Sequence, residues 1–305
     1  MTPEEEKARN FMSILDEISR HYDIDGHRSY RALLECSAVI DFNSYRNSSG
    51  DAIIHKICKE YNGETRGNFY NDLLKKMISR GADVNIRCDN DETPLFRLIR
   101  TCHTRHSNEP EYATQQKMFK TLVNAGATVN VFARGRSILV AAVLAYNPPP
   151  IISLLLRHGG FDVTALNLAL DTILTTEVAT NKAAAWNTYQ TVKLLIEAGA
   201  DPTRKTTTLY YSGLDSFTTP LYWAVTANFS GICGLFCQSG ADPLELSELL
   251  GRSPLELAEA TPACRIQGRY NVVNPELEKS TLEVLSEHVA AKRRETLLSA
   301  MVSTY

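Results

Sequence analysis

An all-α chain of tandem helix-turn-helix units, stacked as a solenoid with loops projecting between units, is the fold class this sequence predicts. Two recurrences predict it. The first is Gly-Ala followed by a small polar residue, found as Gly81-Ala82-Asp83, Gly126-Ala127-Thr128, Gly199-Ala200-Asp201 and Gly240-Ala241-Asp242. A degenerate copy, Gly159-Gly160-Phe161-Asp162, fills the widest gap, so the glycines fall 33 to 45 residues apart. Periods in that range mark stacked repeats. The second recurrence is a tetrapeptide that opens a helix after each of these stops, present as Thr93-Pro94-Leu95-Phe96, Thr219-Pro220-Leu221-Tyr222 and Ser253-Pro254-Leu255-Glu256. Looser copies are Ala52-Ile53-Ile54-His55 and Ser137-Ile138-Leu139-Val140.

Each slot has a local physical reason. Thr or Ser caps the helix by accepting a backbone N–H, and Pro at the first helical position needs no amide partner. The Leu then enters the core. At the far end Gly takes the left-handed conformation that stops the second helix, and Asp or Asn organises the turn.

Along the chain, Phe11, Ile14, Leu15 and Ile18 recur at helical spacing, and Leu33 to Asn43 reads as a second helix with its exit turn. Residues 1–46 are therefore a helical N-terminal capping repeat, which drifts from the pattern because one face must meet water. Residues 47–260 hold the regular units. The unit from Thr164 to Thr203 lacks the tetrapeptide, and its opening Ala165 to Leu170 is helical by periodicity alone. Residues 261–305 carry Leu277, Leu282, Leu285, Val289, Leu297, Leu298 and Met301, interrupted by Lys292-Arg293-Arg294-Glu295. They read as the second helix of the last repeat followed by a capping helix.

Insertions lengthen the units. Glu60 to Asn71, Thr101 to Thr114, Thr176 to Ala185 and Pro262 to Asn274 each interrupt the join between a first and a second helix, and per-repeat insertions map to one face. A fifth, Arg204 to Phe217, lies between units and carries Tyr210, Tyr211 and Phe217. Two placements suit those aromatics: exposed anchors, or folded back on the neighbouring loop.

The tetrapeptides and Gly-Ala stops resemble ankyrin repeats over positions 47–260. The resemblance implies antiparallel helix pairs joined by β-hairpin fingers, a concave face that binds proteins, and no chemistry of its own. It also implies that His55 hydrogen-bonds the turn as a structural residue. Partners of such arrays meet the fingers and the exposed positions of the first helices. Those slots hold Arg87, Phe132, Arg134, Arg136, Arg204, Tyr210 and Tyr211 on fingers, and Lys56, Arg97, Arg100, Tyr222 and Trp223 on first helices. The mixture is basic and aromatic, so the expected ligand is a protein partner with an acidic segment: arginine forks carboxylates, and Tyr and Trp supply anchors.

Composition narrows the function classes. A net charge of -3 and pI near 6.2 give no chain-wide basic footprint, which argues against a nucleic-acid binder. No apolar run reaches the ~20 residues of a membrane span. The acidic start Met1 to Glu6 is unlike a secretory signal. Seven cysteines, odd in number and without framework spacing, suit a reducing cytosol or nucleoplasm. Cys102, His103 and His106 offer metal donors, but no second cluster completes four ligands. Cys233 and Cys237, one turn apart, read as buried thiols.

No cofactor, metal or catalytic residue is expected. The sequence lacks a phosphate-binding loop, a nucleophile elbow and a zincin helix. The reading is a monomeric, non-catalytic protein-interaction scaffold. An alternative is a bacterial type IV secreted effector, delivered into host cytosol without a cleaved signal, suggested by the glutamates and small polar residues of Glu276 to Tyr305. A lesser alternative is a cysteine-dependent enzyme.

Overall fold

A computed structural model describes residues 6–7, 9–13, 41–59, 67–101, 109–175, 182–207, 217–247, 251–260 and 279–302. The chain divides into two compact units, Met1–Phe161 and Asp162–Tyr305.

In the first unit the helices are α1 (Ile53–Lys59), α2 (Gly67–Ser79), α3 (Pro94–Arg100), α4 (Glu109–Asn124), α5 (Ile138–Leu144) and α6 (Pro149–Gly159). The short first helices α1, α3 and α5 pack side by side in one layer; the longer α2 and α4 pack together in a second. Between the layers lie Ile54, Ile57, Tyr70, Leu73, Phe96, Phe119 and Leu122, all without measurable exposure or nearly so. At the N-terminal side Phe11, in a helical turn, meets Phe42 edge to face with ring centres 6.0 Å apart.

The second unit repeats the plan with α7 (Val163–Thr175), α8 (Lys182–Glu197), α9 (Pro220–Thr226), α10 (Ser230–Gln238), α11 (Pro254–Ala260) and α12 (Thr281–Val302). Here α7, α9 and α11 form the first layer and α8, α10 and α12 the second. The helix expected from Ala165 to Leu170 is present as α7. Two strand pairs complete the described secondary structure, β1 (Phe132–Ala133) with β2 (Arg136–Ser137), and β3 (Thr206–Thr207) with β4 (Phe217–Thr218).

Local chemistry starts and stops these helices as the sequence leads one to expect. The hydroxyls of Thr93, Ser137 and Thr219 accept from the amides of Phe96, Val140 and Tyr222 at 3.2, 3.3 and 3.4 Å. Ser253 goes further: its hydroxyl accepts from the Glu256 amide, and its own amide donates to the Glu256 carboxylate at 2.8 Å. That is a reciprocal capping box.

The four Gly-Ala stops share one geometry. The amides of Ala82, Ala127, Ala200 and Ala241 reach back to the carbonyls of Met77, Leu122, Leu195 and Phe236, and those of the preceding glycines to Ile78, Val123, Ile196 and Cys237. These are the paired bonds of a Schellman ending, which needs a residue at positive φ. The glycines sit at φ 86°, 90°, 106° and 99°.

A second recurrence joins neighbouring repeats. The Asn43 side chain donates to the Gly81 carbonyl and accepts from the Asp83 amide, at 2.9 and 2.8 Å. Asn85 makes the same pair of bonds one repeat later, to Gly126 and from Thr128, at 2.9 and 2.7 Å. In the second unit Asn167 accepts from the Asp201 amide at 2.8 Å. Asn43 and Asn85 each tie one turn to the next, and Asn167 ties helix α7 to the turn after α8. Asn85→Ala removes two such bonds and is expected to cost about 1–2 kcal/mol, read from the urea midpoint of unfolding.

Two expectations change. The helices begin inside three of the anticipated insertions, at Gly67, Glu109 and Lys182, so the interruptions are shorter than the polar composition suggests. Among the described residues of the C-terminal segment, Thr281 to Val302 is one continuous helix, with no break at Lys292 to Glu295. No Gly or Pro lies between Thr281 and Val302, and Lys, Arg and Glu are good helix formers, so the charged stretch continues α12.

Candidate functional site

The fingers of the first unit are wired to each other by charge. The hairpin β1–β2 closes through a two-residue turn, Arg134-Gly135, whose φ values of 51° and 74° are both positive, as such a turn requires. Arginine in the left-handed region costs about 1–2 kcal/mol. What it gains is reach: the Arg134 guanidinium lies 2.5 Å from the Glu92 carboxylate.

Glu92 is wholly buried, and it sits just ahead of the Thr93 cap. Three arginines converge on it. Besides Arg134, Arg100 pairs through Nε at 2.6 Å, and Arg97 pairs through its own Nε. Arg97 then forks Asp51 with Nη2 to Oδ1 at 2.6 Å and Nη1 to Oδ2 at 3.1 Å. Asp51 holds the position in the preceding finger that Glu92 holds in its own, immediately before a tetrapeptide. Burial works against charge on Arg97, but Glu92 and Asp51 outweigh it and raise its pKa above the ordinary guanidinium value.

His55 belongs to the same array. Its Nδ1 accepts from the Ala52 amide at 3.1 Å, which leaves the proton on Nε2 to donate to the Glu92 carbonyl at 2.9 Å. The structural role expected of it is observed. Burial lowers its pKa below 6.5, partly offset by the Glu92 carbonyl and the charge of Asp51. The unfolded chain therefore binds more protons than the folded one below about pH 6.5, and stability falls as pH drops through that window. The urea midpoint is expected to decline between about pH 7.5 and 5.5, and His55→Gln to be less stable but flatter over that range.

The sequence-derived surface residues distribute unevenly. Arg87 is half exposed; it pairs with Asp91 at 3.6 Å and donates to the carbonyls of Asp91 and Phe132 at 3.0 and 3.5 Å. Phe132 is 62% exposed and Arg136 is exposed on the same hairpin. The first unit thus gathers Arg87, Phe132, Arg134 and Arg136 along one finger edge, with Arg100 joined to it through Glu92.

Exposure is corrected for two residues. Arg97 is interior because Asp51 and Glu92 enclose it, and Tyr222 is 4% exposed because it fills the slot that His55 fills in the first unit. Burial also raises the Tyr222 phenol pKa. In the second unit Arg204 is pinned by Asp171 and by the carbonyls of Asp201 and Asn167 at 3.0 and 2.9 Å. Trp223 is half-buried. Tyr210 and Tyr211, like Cys102, His103 and His106, lie outside the described residues.

Glu92 and Asp51 escape a search for basic and aromatic ligands. The signal that would have found them is an acid directly before the tetrapeptide in two successive units. Cys233 and Cys237 are buried; the Cys237 thiol is pushed up to about 12 by burial and by Asp242, and burial pushes Cys233 up as well. Among the described residues no group of three or more His, Cys, Asp or Glu side chains is arranged to hold a metal ion. No helix among them is long and apolar enough to cross a membrane.

No protein-family model matches the sequence, and no curated protein matches it. Among solved structures, the human ASB11 ankyrin repeat domain is similar at 16% identity, with 78% of this chain and 98% of that one covered and a TM-score of 0.39. An ankyrin repeat domain from Acinetobacter baumannii is similar at 19% identity, with 71% and 95% covered and a TM-score of 0.48. Within the chain itself, four identical Schellman stops, hydroxyl-capped first helices, hairpin fingers and asparagine ties from turn to turn make the fold that of ankyrin repeats.

Proposed function

We propose that the chain is a non-catalytic protein-interaction scaffold, monomeric in cytosol or nucleoplasm, whose first-unit finger edge captures an acidic segment of a protein partner. The observation that carries this reading is Phe132. An aromatic ring 62% exposed on a tight hairpin is an anchor ready to be buried, and arginines surround it. Arg136 makes no ion pair among the described residues. The inner cluster sets three guanidinia, of Arg97, Arg100 and Arg134, against two carboxylates, so its surplus is positive. A rigid finger loses little freedom on binding, which favours capture of a flexible segment.

The test uses acidic peptides selected by display on the intact chain and measured by fluorescence anisotropy. Phe132→Ala is expected to weaken binding about 30-fold, the equivalent of ~2 kcal/mol, and Arg136→Glu to weaken it further, both with unchanged melting temperature. Peptides that bind both variants as tightly as the parent would move the site off this edge. The alternative, a bacterial type IV secreted effector, is suggested by the glutamates and small polar residues of Glu276 to Tyr305, and two of those glutamates serve the helix. Glu283 caps α12 through Ser280 at 2.7 Å, and Glu287 pairs with Lys279 at 2.6 Å. Capping and pairing account for these two glutamates, which favours the scaffold reading.

A further inference from the structure

Helix α12 does two different things along its length. Its first half packs on α10 and α11 and buries Thr281, Leu285 and Val289. From Ala290 to Met301 every residue is exposed, and that half carries Leu297 at 66%, Leu298 at 62% and Met301 at 64% exposure. In the finger after Asp242, Leu244 shares a groove with that half, and Leu246 is exposed as well.

Between finger and helix runs a groove of about 480 Å³, floored by Leu244, Val289 and Leu297 and edged by Lys292, Arg293 and Asp242. The helical residues, Val289, Lys292, Arg293, Thr296 and Leu297, recur at i, i+3, i+4, i+7 and i+8, one face of α12. All belong to the second unit.

The rim is cationic. Lys292 approaches Asp242 only to 3.9 Å with both side chains about half exposed, a contact worth little in water. Arg293 and Arg294 make no ion pair among the described residues. An apolar floor with a positive rim selects an amphipathic, acidic occupant. A second copy of this chain would bring the same cations to the same rim. The free half of α12, at 1.5 Å per residue, is about 20 Å long and matches three to four turns of a partner helix.

We propose that this groove docks an amphipathic helical segment of a protein partner, with leucine-type side chains at i, i+4 and i+7 flanked by Asp or Glu. It is separate from the finger edge of the first unit and stands or falls independently. The probe is a fluorescein-labelled synthetic helix of about 14 residues, leucine at those positions and glutamate on the flanks, titrated with the full chain; a counterpart carries lysine for glutamate.

The glutamate peptide is expected to bind at least ~10-fold more tightly than the lysine one, and Leu297→Asp to weaken it by a similar factor. Lys292→Glu with Arg293→Glu should invert the preference, and Phe132→Ala should leave it unchanged. Because these side chains are exposed, the unfolding midpoints should not move. Failure of the glutamate peptide to bind, equal affinity for the two peptides, or indifference to Leu297→Asp overturns the proposal. So does sedimentation that finds a dimer dissociated by Leu297→Asp, since the groove would then hold a second copy.

Discussion

Glu92→Ala is expected to destabilise the chain by about 3–5 kcal/mol, the cost of removing one partner from a buried ion cluster. The carboxylate is wholly buried, and its loss leaves Arg97, itself 5% exposed, with Asp51 as its remaining carboxylate partner. A guanidinium that cannot reach water keeps its full desolvation penalty. Arg100 and Arg134 are more accessible, with side chains 34% and 42% exposed, so they can turn outward to solvent.

The contrast is Arg134→Gly. It deletes a partly exposed ion pair, worth up to about 1 kcal/mol, while relieving a left-handed arginine of similar cost. That variant is expected to be nearly neutral. Urea unfolding of both variants with a common slope checks the pair; an equal loss for the two would mean that the cluster's worth lies in the fingertip and not in the buried charge.

Phe236→Ala is the second large expected effect, at about 3–5 kcal/mol. The ring has no exposure, and its helix α10 is the member of the second layer that touches α8, α9 and α12. Truncation of a fully buried ring leaves a cavity, and a helix packed against three others has little room to collapse into it. The residue also stands at the helix stop: its carbonyl accepts from the Ala241 amide at 3.0 Å, so a shift of the backbone would disturb the turn as well. Phe132→Ala serves as the control. It removes the same chemistry from a side chain mostly in water and is expected to leave the unfolding midpoint in place. A loss below about 1 kcal/mol for Phe236→Ala would show that this core collapses around the gap.

Legibility in the sequence followed the range of each interaction. Caps act over three residues, as from Thr93 to Phe96, and Schellman stops over five, as from Met77 to Ala82; both were readable because a short window holds all their atoms. The two-residue hairpin at Arg134-Gly135 was foreseen only as a finger, because arginine gives no turn signal and glycine alone is ambiguous. The interruption expected at Lys292 to Glu295 is absent because a run of charged residues removes the apolar periodicity without breaking the backbone. The candidate site was half legible. Phe132 and Arg136 are where an exposed-slot argument puts them, whereas Arg97 and Tyr222 lie inside.

By itself, then, the order of residues determined the repeat period, where the hydroxyl-capped first helices begin and where the Gly-Ala stops end the second ones, because these depend on neighbours a few residues away, whereas the asparagine ties reach 34 to 43 positions along the chain. The tertiary structure alone decided which arginines face water. Asp51 meets Arg97 across 46 positions of chain, and Glu92 collects guanidinia from its own helix and from the next finger, so their charges are spent inside the fold. Charge compensation across stacked repeats depends on distance in space, which no local window of sequence contains.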